Sequence, residues 1–337
     1  MKTVRCSILG FGAIGQGVAE VLLMKKEYLE SIGLEIIVVA VVDSRGATIN
    51  PEGVDLADCL ARKRTTGTVA IEKITGVEVI KSIDHDLVIE TTPTNIVTGG
   101  AGGLQNMFAA FEIGKDVITS NKGPLTLKYR ELMEAAKVAG GSSFRFEATV
   151  GGSMPIINLA NEVLAGNRLK SIKGILNGTC NYILTRMLEE RASYKDILAE
   201  SMELGIAETD PPTYDVDGID TACKLVILAN AIFGLNATYK DVEVTGITKI
   251  TPEALEMAYE RGGHVIKLIG EVSRERIHVA PRLVPINHPL DVRGGTLNVA
   301  SIDTELAGEI TVTGKGAGPV ETASAILSDL IAIYGNK

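Results

Sequence analysis

A short strand-like run at residues 4–9 ends in Gly10-Phe11-Gly12-Ala13-Ile14-Gly15 and leads into a stretch with Val18, Val21 and Leu22 on one helical face. Strand, Gly-x-Gly-x-x-Gly turn and helix in that order admit few folds. The first glycine permits the tight turn, the second lets the backbone approach a pyrophosphate, and the third lets helix pack closely on strand. The helix start offers unpaired N–H groups and a positive dipole end to phosphates. A second, mostly apolar run at 35–42 ends at Asp43-Ser44-Arg45. Asp43 there suits a ribose 2′-hydroxyl, as in NAD. Arg45 and the basic cluster Arg62-Lys63-Arg64 suit a 2′-phosphate, as in NADP, and the sequence leaves both open.

Further strand signals lie at 87–89 and 116–119, with helical periodicity at 104–113 and 126–139. Mostly apolar strands alternating with helices predict a parallel sheet covered on both faces, an α/β domain of Rossmann type. Ligands of such sheets bind outside the carboxyl ends of strands. Thr92 and Pro93 after the one strand, and Ser120 and Lys122 after the other, are therefore expected beside a nicotinamide. After about residue 142 the pattern changes. Helices are predicted at 156–164, 181–190, 193–204 and 221–233, strands at 171–176, 277–283 and 310–313, and a last helix at 320–333. This mixture predicts an α+β second domain, and 337 residues suit two domains at roughly 150 each.

Composition narrows the function. Thirty-three Lys and Arg against 42 Asp and Glu give a formal charge of −9, and aromatics are 4% with no Trp. Such a chain is a poor binder of nucleic acid or membrane surfaces. No apolar run approaches the ~20 residues that cross a bilayer. No signal peptide is read, and four scattered cysteines without CxxC spacing fit a reducing cytoplasm.

The densest polar segment runs from Glu208 through Asp210, Asp215 and Asp217 to Asp220 and Lys224. Asp220 and Lys224 are four apart, so they share a helix face. A lysine beside carboxylates at the mouth of an apolar helix suits a proton shuttle, or a plain surface ion pair. Asn177-Gly178-Thr179-Cys180-Asn181 reads as a turn able to hold a carboxylate or amine, or as a helix cap. In Glu147-Ala-Thr-Val150-Gly151-Gly152-Ser153-Met154, a carboxylate and turn carbonyls suit a hard monovalent cation or an interdomain bend.

Taken together, GFGAIG, ETTPTN, SNKGPL, EATVGGSMPII, GILNGTCNYILTRM, AETDPPTYDVDGIDTACK and GKGAGPVETASA resemble the homoserine dehydrogenase family, in that family's order, from residue 10 to about 330. The resemblance implies reversible, NAD(P)-dependent interconversion of L-homoserine and L-aspartate 4-semialdehyde, within threonine, methionine and isoleucine biosynthesis. It implies a dinucleotide-binding domain at 1–142 completed by the C-terminal helix 320–337, and a catalytic and dimerisation domain at 143–319. Lys224 corresponds to the proton donor and acceptor, and Lys122 to a second catalytic lysine. Glu208, Asp220, Asp215 and Thr179 correspond to substrate-binding residues. Glu147, Val150, Gly152 and Met154 match a sodium-binding elbow, and Gly318 a glycine turn returning to the cofactor. A homodimer is expected. Residues 210–215 run one residue longer than the commonest family pattern, and Ile206 replaces a frequent Tyr or Phe. No regulatory ACT domain or fused kinase is read after the last helix. The rival readings are another amino-acid or semialdehyde dehydrogenase, and a non-catalytic NADP-binding sensor.

Overall fold

Six strands build the first sheet: β1 (Lys2–Leu9), β2 (Leu34–Asp43), β3 (Gly46–Ile49), β4 (Leu87–Glu90), β5 (Asp116–Thr119) and β6 (Phe144–Arg145). Their spatial order is β3-β2-β1-β4-β5-β6. All neighbours are parallel except β3, which turns back antiparallel onto β2. β4 and most of β1 and β5 are buried, as their apolar sequences require. The order reverses between β1 and β4, which opens a crevice at the carboxyl edge there.

The computed structural model describes residues 1–97, 99–138, 140–207 and 213–335. The chain divides into two units, one of Met1–Ser153 with the chain from Gly318 onward, the other of Met154–Ala317. The crossing lies beyond the expected 142, because β6 pairs with β5 and so belongs to the first sheet. The Pro319–Tyr334 helix packs on the Ala13–Met24 helix in the first unit. Contact there is so close that a β-carbon on Gly17 would drive into the Pro319 carbonyl.

The second unit holds another six-stranded sheet: β7 (Leu169–Ile175), β8 (Glu243–Val244), β9 (His264–Ser273), β10 (Ile277–Pro285), β11 (Leu297–Thr304) and β12 (Glu309–Lys315). The order is β12-β11-β7-β9-β10-β8, antiparallel but for the short β8–β10 pair. The Ile219–Ala231 helix, buried along nearly its whole length, lies on β9 and β10. The Gly178–Glu190 helix also packs on β9. The segment predicted as a helix at 156–164 is one α-turn, Ile156–Asn158, followed by a π-helical turn, Leu159–Val163. The N–H of Leu164 reaches the Leu159 carbonyl, five residues back, which widens the coil.

Candidate active site

In the first unit the glycine loop meets its expected geometry. Gly10 has φ +95°, and a β-carbon on it would lie 2.6 Å from the Thr92 nitrogen. A β-carbon on Gly15 would drive into the Gly10 carbonyl, whereas one on Gly12 would meet nothing within 4 Å. The loop is thus tight underneath and open above Gly12. No side chain caps the Ala13–Met24 helix. An open glycine over an uncapped helix start fits a pyrophosphate. Gly12 and Ala13 are exposed and Ile14 half-buried, while the Phe11 ring lies in the core, so only its backbone faces the loop.

Asp43 is otherwise engaged. Its Oδ1 accepts from Arg45 N at 2.9 Å and Thr68 Oγ1 at 3.1 Å, and its Oδ2 from Lys63 Nζ at 2.8 Å and Val69 N at 2.9 Å. The side chain is 3% exposed. Burial pushes its carboxyl up, but Lys63 and the other three donors outweigh that and hold it below the usual range. Ser44 and Arg45 stay exposed. Thr92 is half-buried and Pro93 exposed after β4; Ser120 and Lys122 are half-buried after β5. Lys122 opens the Lys122–Val138 helix, and its N–H donates to Thr94 Oγ1 at 3.3 Å. Gly318, at φ +130°, precedes the Pro319–Tyr334 helix.

In the second unit four polar residues converge. Asn177 ends the loop after β7 and caps the Gly178–Glu190 helix, its Oδ1 accepting from Cys180 N at 2.9 Å. Its Nδ2 donates to Asp215 Oδ1 at 2.7 Å and Asp220 Oδ2 at 3.0 Å. Lys224 Nζ donates to the same Asp220 Oδ2 at 2.6 Å and to the Leu176 carbonyl at 2.5 Å. Lys224 and Asp220 are each 7% exposed, far from a solvated surface pair. The ammonium has three N–H bonds, and these contacts use two. Burial, then the nearby Asp220 charge, raises the Asp215 carboxyl. Thr179 Oγ1 donates to the Ile206 carbonyl at 3.1 Å. Sequence reasoning named Asn177 only as part of a turn; its bridge between two carboxylates depends on a loop some forty residues on. Glu208 and residues 210–212 of the longer segment lie outside the described residues.

At the glycine elbow, Glu147 and Val150 are buried and Gly151 and Gly152 have φ +85° and +59° in the first unit. The Glu147 N–H donates to Asp329 at 2.9 Å. Met154 falls in the second unit, where its carbonyl accepts from Ile156 N.

Comparison with known proteins agrees over both units. The family profile for the homoserine dehydrogenase NAD-binding domain matches residues 10–147, and that for homoserine dehydrogenase matches residues 155–331. The chain belongs to the homoserine dehydrogenase family. The homoserine dehydrogenase of Methanocaldococcus jannaschii is 53% identical, over 98% of this chain and 98% of its own. A crystal structure from Archaeoglobus fulgidus, described as a homoserine dehydrogenase, superposes with TM-score 0.92 at 49% identity, covering 99% of this chain and 100% of that one. A hyperthermophilic archaeal homoserine dehydrogenase in complex with NADPH superposes with TM-score 0.84 at 29% identity, covering 98% and 97%. As a homoserine dehydrogenase, the chain is an NAD- or NADP-dependent oxidoreductase of α/β architecture. Among the described residues no helix is long and apolar enough to cross a membrane, and all four cysteines are buried free thiols.

Proposed function

We propose that this homoserine dehydrogenase interconverts L-homoserine and L-aspartate 4-semialdehyde with Lys224 as the proton donor and acceptor. The observation that carries this is the buried Lys224 ammonium, held by Asp220 and the Leu176 carbonyl, which among the described residues leaves one N–H for a substrate. Fixed at two points, it can aim the third N–H at a substrate oxygen and take the proton back in the reverse direction. The Asp215 and Asp220 carboxylates, bridged by Asn177, suit a substrate ammonium. Thr179, and Glu208 by family resemblance, complete the substrate set. Lys122 is proposed as the second lysine, supported by its place after the carboxyl end of β5.

The bound nicotinamide dinucleotide supplies the hydride. Gly10, Phe11, Gly12, Ala13, Ile14 and Gly15 would hold its pyrophosphate with backbone N–H groups. Thr92, Pro93, Ser120 and Gly318 would border the rest. The four internal donors on Asp43 leave it ill-suited to a ribose 2′-hydroxyl, so the exposed Arg45, with Ser44 and Lys63, favours a 2′-phosphate and hence NADP. The proposal extends to a sodium ion at Glu147, Val150, Gly152 and Met154, supported by a buried carboxyl in a turn of left-handed glycines. It also extends to a homodimer built on the second sheet and to a cytoplasmic location.

Absorbance of the reduced nicotinamide band, recorded with L-homoserine and NAD or NADP in parallel, tests the reaction and the cofactor choice together. Lys224→Ala should lower kcat by about 10²–10⁴-fold with NADP affinity nearly unchanged. Lys224→Arg should be nearly as poor, because a guanidinium does not release its proton. Near-normal turnover in either variant removes Lys224 from the role.

A further inference from the structure

Glu90 is a buried acidic group for which the reaction scheme above has no use. It ends β4, is 0% exposed, and lies at the carboxyl edge of the sheet beside the reversal in strand order. Its carboxylate gathers donors from two loops. Oε1 accepts the Thr92 N–H at 3.1 Å and the Thr92 hydroxyl. The Thr119 hydroxyl shares its one proton between the Glu90 main-chain carbonyl at 3.0 Å and Oε2 at 3.3 Å, and the Asn121 side chain is a further donor to the carboxylate. Asn121 Nδ2 also reaches Thr92 Oγ1 at 3.1 Å, and Asn121 N donates to Thr119 Oγ1 at 2.9 Å. With the Lys122 N–H on Thr94 Oγ1, the loop after β4 and the loop after β5 form one hydrogen-bonded body.

These donors are hydroxyls and amides. Burial therefore wins over them and pushes the Glu90 carboxyl up to about 7. A buried carboxyl whose donors among the described residues are all neutral costs stability, and an apolar residue would serve packing better. The position makes sense where loop geometry matters more than stability. Helix packing supports the same reading. A β-carbon on Gly103, in the Ala101–Glu112 helix, would drive into Asn121 Nδ2, and would sit 3.0 Å from Thr92 Oγ1 and 3.3 Å from Glu90 Oε1. Glycine at this place leaves room for the network.

We propose that Glu90 is a positioning residue of the dehydrogenase: its carboxyl locks the loop after β4 to the loop after β5, presetting Thr92, Pro93 and Lys122 for the nicotinamide half of the cofactor. This rests on the reading above that those residues border the nicotinamide. Glu90 itself touches no reacting atom and acts through Thr92, Asn121 and Lys122.

Two variants disturb the lock from opposite sides. Glu90→Gln keeps the shape and removes the charge. Gly103→Ala leaves Glu90 in place and pushes a methyl into Asn121. For each, kcat, KM for homoserine, the thermal midpoint and the Kd of reduced cofactor by fluorescence are measured. The expected signature is a kcat at least tenfold lower, a homoserine KM within twofold of the parent, and a cofactor Kd at least threefold higher. A lowered midpoint with kcat and cofactor Kd both within twofold of the parent overturns the proposal and leaves Glu90 a structural residue. If one variant fails to fold, the other decides. A parent enzyme inactive on homoserine would instead sink the functional reading, and the cofactor Kd would then decide the role of Glu90 alone.

Discussion

Gly12 and Gly15 sit three residues apart in one loop, yet their surroundings make opposite demands. A methyl on Gly12 enters open space at an ordinary φ of −79°. Gly12→Ala should therefore fold as well as the parent, within about 1 kcal/mol, and bind NADP at least tenfold more weakly. A methyl on Gly15 strikes the Gly10 carbonyl. Gly15→Ala should cost about 1–3 kcal/mol before any cofactor is added. Chemical denaturation and cofactor titration separate the two, and equal stability loss in both would refute the division of labour. This much was legible in sequence because the demands of a tight turn are local. The role of Glu90 was not, because part of its donor set, Thr119 and Asn121, comes from about thirty residues on. Nor was the engagement of Asp43, which Thr68 and Val69 bring about from a segment with no strong pattern.

At the scale of elements, the Gly178–Glu190 helix carries Thr179 in its first turn and is anchored to the second sheet by a lysine. Lys267 of β9 donates to Asn181 Oδ1, Thr185 Oγ1 and the Val292 carbonyl, each at 2.8 Å. Burial pulls its ammonium down to about 8. Lys267→Met would keep the volume and strand three acceptors, at roughly 1–3 kcal/mol each. The relief of a buried charge offsets part of this, so a net loss of about 2 kcal/mol at pH 7 is expected in a urea titration. The unfolded lysine titrates near 10.4, above the folded value. Between about pH 8 and 10 the unfolded chain therefore binds more protons, and stability from this group grows with pH. The gap between parent and variant should widen over that window, and a flat gap would contradict the assignment. β9 drew no strand prediction because Lys267 and Gly270 interrupt its apolar run. Both make sense only in the fold, the one as an anchor, the other where a β-carbon would press on Thr221 and Leu225. β6 and β8, two residues long, exist only through their neighbours and carry no sequence signal.

At the scale of the whole molecule, the cofactor-binding unit is discontinuous, so its folding depends on the last residues of the chain. Ala323, Ile326, Leu330 and Tyr334 of the C-terminal helix share one buried cluster with Val4, Ile8, Val18 and Leu22. The same helix supplies Asp329, which accepts the Glu147 N–H, and the Tyr334 hydroxyl, which donates to Asp116 at 2.6 Å. Periodicity announced this helix, but a repeat of apolar residues does not say which core it joins. Leu330 is buried within that cluster. Leu330→Ala should destabilise the unit that carries the glycine loop, by about 2–5 kcal/mol. If the dinucleotide binds that unit only when it is folded, as proposed above, saturating cofactor should restore part of the lost stability, by roughly 2.7 kcal/mol at a hundredfold excess over Kd. Lys267→Met lies in the other unit, so the two losses should add within about 0.5 kcal/mol in the double variant. Strong non-additivity, or a Leu330→Ala midpoint indifferent to cofactor, would mean that the terminal helix does not serve the cofactor-binding core.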